Sequence, residues 1–137
     1  MTERFSIREK SELFDKAHSM HDCTFVATYE GNILMLSFDR LEKYCDPVLD
    51  TPLYDNFKRL TIKYHGIDCL TLGMRFGKKE KTFYDTVSPL DNKELVMHKY
   101  SIDSFNVVQL HFRIFMRKKL WGGTIECSPT EIEYVWE

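Results

Sequence analysis

From residue 23 onward apolar and polar positions alternate along most of the chain, the period-two signature of strands with one buried face. CTFVATYE (23–30) and ILMLSFD (33–39) flank Gly31-Asn32. That pair accepts the positive φ values of a tight turn, so the stretch predicts a hairpin. FKRLTIKY (57–64) is followed by a His65-Gly66 turn, DCLTLGMRF (68–76) by the turn GKKEK, and then comes TFYDTVS (82–88). ELVMHKYSI (94–102) and NVVQLHFRIFM (106–116) continue the alternation. In the second of these Val108, Leu110, Phe112, Ile114 and Met116 share one face, and Gln109, His111 and Arg113 share the other. Gly122-Gly123 reads as a turn or bulge before TIECS. After Pro129 the run EIEYVWE opposes Ile132, Tyr134 and Trp136 to Glu131, Glu133 and Glu137.

One segment has a helical period instead. Ser6-Ile7-Arg8-Glu9 fits a capping box, in which hydroxyl and carboxylate satisfy the first orphan N–H groups. Leu13, Phe14, Ala17 and Met20 then recur at spacings of three and four, which predicts a helix over about 7–20 with one apolar stripe. Crossover helices for parallel strands are missing from the pattern. The expected fold is therefore mainly β (a β-rich α+β): one domain over 1–137, an antiparallel meander forming a sandwich or a strongly coiled sheet, with one N-terminal helix.

Composition supports this without changing it, since 43% apolar and 14% aromatic residues suffice for a core that needs no metal or disulfide staple. Cys23, Cys45, Cys69 and Cys127 form no C-x-x-C pair and read as separate reduced thiols. MTERFSIREK has no apolar run and no later segment approaches a membrane span, so no membrane contact and a cytoplasmic location are expected. Charge adds a segmental pattern beneath the net −2. Residues 1–55 carry 6 Lys/Arg against 11 Asp/Glu, residues 56–119 carry 13 against 6, and residues 120–137 carry none against 4. Such alternation fits the faces of a self-complementary fold better than a polyanion binder.

Reactive candidates begin with HSMHDC (18–23). His18 and His21 on a continuing helix could share a metal with Asp22 or Cys23, and Cys23 beside a histidine could serve as a nucleophile. The competing interpretation is a structural seam, with His21 and Asp22 turning the chain and Cys23 opening a strand. It carries more weight, because His65, His98 and His111 stand singly and no second ligand pair accompanies the cluster. Glu131 and Glu133 form a same-side carboxylate pair that reads as a polar strand face. Arg75, Lys78, Lys79 and Lys81, with Arg117, Lys118 and Lys119 before Trp121, could contact phosphates. Charged turns also keep sheet edges apart, and nucleic acid is not the expected partner. No phosphate-cradling loop or dinucleotide fingerprint occurs, and no cofactor or metal is expected.

The long connection 40–56, RLEKYCDPVLDTPLYDN, holds Pro47 and Pro52 and cannot be a central strand. It gathers Tyr44, Asp46, Asp50, Tyr54 and Asp55, acidic groups around aromatic anchors of the kind that occupy a basic cleft on another protein. Finally, HDCTFVATYEGNILMLSFD followed by LTIKYHGI resembles small bacterial β-rich proteins, some of which are similar to immunity proteins of polymorphic toxin systems. The resemblance implies a cytoplasmic, partner-binding role. The expected function is a non-enzymatic protein-binding module with a basic protein partner. A small metal-assisted or thiol enzyme centred on His18, His21, Asp22 and Cys23, and a structural subunit pairing through a sheet edge, are the alternatives.

Overall fold

A computed structural model describes residues 2–9, 22–41, 57–116 and 118–137. Its ten strands are β1 (Thr2–Ser6), β2 (Thr24–Glu30), β3 (Ile33–Phe38), β4 (Leu60–His65), β5 (Leu70–Phe76), β6 (Lys79–Tyr84), β7 (Leu95–Ile102), β8 (Val108–Met116), β9 (Lys119–Cys127) and β10 (Glu131–Trp136). They form one antiparallel sheet in the order β1-β10-β4-β3-β2-β7-β8-β9-β5-β6. Three runs are local meanders, β2-β3-β4, β5-β6 and β7-β8-β9, joined by the long-range pairings β2–β7, β5–β9, β4–β10 and β1–β10. The mainly antiparallel β fold expected from the alternation is thus present as a single ten-stranded sheet.

The sheet coils on itself. Tyr134 on β10 and Tyr100 on β7 are four strands apart in the pairing order, about 19 Å in a flat sheet. Their side chains nevertheless interact, together with Tyr64 of β4. One continuous core fills the space between the facing halves, with Phe25, Leu36, Ile62, Leu72, Phe112, Ile125, Tyr134 and Trp136 all buried. In β3, β4 and β10 every second residue is buried, as the alternation demands.

Four features depart from the expectation, one being that β6 begins at Lys79, inside the expected turn GKKEK, and ends at Tyr84. The described part of the helix expected over about 7–20 is a single 3-10 turn at Ile7–Glu9, and the remainder lies outside the described residues. Ser6, expected as a helix cap, is instead the last residue of β1 and pairs with Glu131. Ile7 N–H donates to the Thr130 carbonyl, and Trp136 Nε1 donates to Glu3 Oε1 at 2.8 Å. The N-terminal backbone groups therefore find sheet partners instead of a helical turn. Gly122-Gly123 is no turn: both residues lie inside β9, Gly122 opposite Arg113 and Gly123 opposite Phe112. The Phe112 ring lies where a Cβ on Gly123 would be, so ring-over-glycine packing holds that strand flat against β8.

Candidate functional site

β7, β8, β9, β5 and β6 form one half of the sheet, and their outward residues fall into tiers fixed by register. Glu80, Arg75, Gly122, Arg113 and Val96 lie side by side in one tier. Thr82, Gly73, Thr124, His111 and Lys99 lie in the next. Beyond the first tier, Phe115 pairs with Leu120, and both are largely exposed, at 71% and 64%. Between the flanking side chains runs a trough of about 510 Å³, open to solvent and lined by Arg75, Glu80, Lys81, Thr82, His98, His111, Arg113 and Thr124 above Gly73 and Gly122.

Two local devices build the trough. The first is a bulge in β7: Met97 opposes Phe112 and Lys99 opposes His111, leaving His98 as the extra residue. His98 and Lys99 are both exposed, after which Tyr100 and Ile102 return to the inward register. A bulge of this kind places two successive side chains on one face, which alternation forbids. The second device is glycine. Gly31, Gly66 and Gly77 sit at positive φ in turns, and Gly123 lies under Phe112. Gly73 and Gly122 have neither reason. A Cβ on Gly122 would meet nothing within 4 Å, and one on Gly73 only the Thr124 carbonyl at 3.9 Å. Glycine inside a strand costs about 0.5–1 kcal/mol relative to alanine. Without a packing reason, such a residue marks a place where another group approaches the backbone.

Several side chains around the trough are braced. Arg75 donates from Nε and Nη2 to Glu80 Oε1, at 3.1 and 2.7 Å. His111 Nδ1 lies 3.1 Å from Thr124 Oγ1. The tier sets Arg75 and Arg113 on the two strands flanking Gly122, their Cα atoms separated by two strand spacings, about 10 Å. Guanidinium groups and imidazole N–H groups over a bare backbone make a surface suited to carboxylate or phosphate oxygens.

The residues singled out in the sequence are placed differently. Tyr44, Asp46, Asp50, Tyr54 and Asp55 lie outside the described residues, as do His18 and His21. Asp22 turns the chain at φ 64°, and its N–H donates to the Met97 carbonyl. Cys23 is 1% exposed, and its carbonyl accepts from Met97 N–H where β2 joins β7. A thiol so buried is shielded from reactants. Glu131 and Glu133 belong to a separate network on the opposite half: Arg4 donates to Glu131, and His65 Nε2 donates to Glu133 Oε1 at 2.9 Å. That hydrogen bond, with Lys63 and Arg4 nearby, holds the Glu133 carboxyl below its ordinary range against the opposing effect of burial. No three His, Cys, Asp or Glu residues converge as a metal site among the described residues. No helix among them is long and apolar enough to cross a membrane.

The sequence pattern named the basic residues near the trough but not the trough itself. The parity break in Leu95-Val96-Met97-His98-Lys99-Tyr100 was a readable signal for the bulge. Gly73 inside an alternating run was another. Comparison with protein families, with curated proteins and with solved structures found no match to this chain.

Proposed function

We propose that the protein is a non-enzymatic protein-binding module whose principal contact surface is the outer face of β5 to β9. The observation that carries this reading is the pair of strand-interior glycines, Gly73 and Gly122, which leave open space between cationic side chains where the fold itself gains nothing. Beside them Phe115 and Leu120 expose adjoining apolar surface, and apolar anchors next to complementary charge are what protein interfaces use for hold and orientation. The resemblance to immunity-type β-rich proteins points toward a protein ligand as well. The acidic segment 40–56, with Tyr44, Asp46, Asp50, Tyr54 and Asp55, provides by composition for a basic region of a partner. Tyr44→Ala combined with Asp46→Ala and Asp50→Ala measures that contribution.

A photo-crosslinking amino acid at the position of Thr82, on the trough, is compared in the native cell with one at Thr28, which is exposed on β2. A discrete protein adduct at Thr82, absent at Thr28 and lost when Gly122→Val fills the floor, is the expected outcome. Equal labelling at the two positions, or none at Thr82, overturns the assignment of this face.

A further inference from the structure

Resting on that reading, we propose the chemistry of the ligand: an extended acidic segment of a partner protein in which an apolar residue and two carboxylate residues alternate, in the order apolar-x-acid-x-acid. Outward residues on neighbouring tiers are two positions apart along a strand, about 6.6–7 Å. An extended peptide repeats its own side chains at the same interval. Along β8 and β9 the tiers read Phe115 with Leu120, then Arg113 with Gly122, then His111 with Thr124. A segment lying along β9 sets its apolar side chain against Phe115 and Leu120. Its first carboxylate falls between Arg113 and Arg75 over Gly122, and its second falls beside His111, Thr124 and Lys99. The following tier carries Glu126 opposite Gln109, so like charge ends the acidic run there.

A short local match also accounts for the sign of the whole chain. At net −2 the chain as a whole lacks the net basic charge usual for a nucleic-acid binder, whose affinity rests on many phosphate contacts. Two carboxylates need only the cations of two tiers. Glu80 occupies Arg75 in the absence of ligand and competes with the first carboxylate.

The test uses the full chain and a blocked heptapeptide, Ser-Phe-Thr-Glu-Thr-Glu-Thr, followed through the backbone amide signals of Gly73, Gly122 and Thr124. Saturable shifts at these amides are expected. Arg113→Ala in the protein weakens binding about tenfold or more, the loss of one charge-assisted hydrogen bond, and replacing both peptide glutamates with glutamine weakens it further. Gly122→Val abolishes the shifts with the rest of the spectrum intact, and Glu80→Gln tightens binding by removing the competitor. Equal affinity for the glutamate and glutamine peptides overturns the proposal, as does no shift at millimolar peptide. Preferential binding of single-stranded oligothymidylate at the same amides overturns it in favour of a nucleic acid. Concentration-dependent dimerisation lost in Gly122→Val overturns it in favour of a second copy of the chain. If the peptide fails while the Thr82 adduct persists, the ligand chemistry is wrong and the surface assignment stands. If the adduct fails too, both fall.

Discussion

Glu133 shows how one residue ties charge to stability. Its carboxyl side chain is 17% exposed and accepts from His65, so its folded-state pKa lies below the ordinary value. A carboxyl shifted this way stabilises the fold above its unfolded pKa of about 4.3, and the contribution is lost as pH falls through the lowered value. Glu133→Gln is therefore expected to cost about 1 kcal/mol at neutral pH. The difference from the parent shrinks as pH drops below the ordinary carboxylate range, and urea denaturation across that range measures it. The two adjacent glycines of β9 differ as sharply. Gly123→Ala drives a Cβ into the Phe112 ring and is expected to destabilise by about 1–3 kcal/mol, an overpacking cost. Gly122→Val has open space and should leave the thermal midpoint unchanged or raised, since valine suits a strand better than glycine. Cys127 is buried at 3% exposure, and burial pushes its thiol up to about 12. It should therefore resist alkylation at neutral pH in native protein, whereas exposed Cys69 reacts.

At the scale of elements, neighbours on both sides separate interior strands from edges. β4 and β10 are each paired on two sides, whereas β1 and β6 are the ends of the sheet. Hydrogen exchange should be slowest in β4, β10 and β8 and fastest in β6, whose residues are mostly exposed. β1 is fastened by the Trp136–Glu3 hydrogen bond, by Arg4 to Glu131, and by Phe5 stacked on Tyr134 at 5.8 Å. Glu3→Ala should therefore raise exchange in β1 while leaving β6 unaffected. These contacts explain why β1 was illegible in the sequence. Ser6-Ile7-Arg8-Glu9 satisfies a local helix-start rule, but Thr2–Ser6 takes its partners from the far end of the chain. The Gly122-Gly123 pair misled for a related reason, because the ring that makes Gly123 compatible with a strand comes from β8. By contrast, β3 and β10 were legible almost to the residue, and β4 apart from its start at Leu60 instead of Phe57, since each buries one face and exposes the other.

Across the whole molecule, the two halves of the sheet meet around Tyr64, Tyr100 and Tyr134. Their hydroxyls are screened from water and lie near enough to influence one another electrostatically. Burial raises the ionisation of Tyr64 and Tyr100 above the ordinary phenol range. Tyr100→Phe removes the central hydroxyl and should cost about 1 kcal/mol or less. Changing all three to Phe should cost less than three times that amount, which chemical denaturation of the single and triple variants would show. The sheet closure that joins the tyrosines turns the other face of β5 to β9 outward, where the trough forms.

The chain's own alternation determined its strands and the side of each strand that is buried, because a period of two is a property of the local backbone. It determined the segregation of charge for the same reason: residue type is written position by position. Only the tertiary structure decided that β5 lies against β9. That pairing sets Arg75, Gly122 and Arg113 in one tier, although they are up to 47 positions apart in the chain. Such pairings depend on burying the inward faces of distant strands together, and local spacing carries no record of which strands those will be.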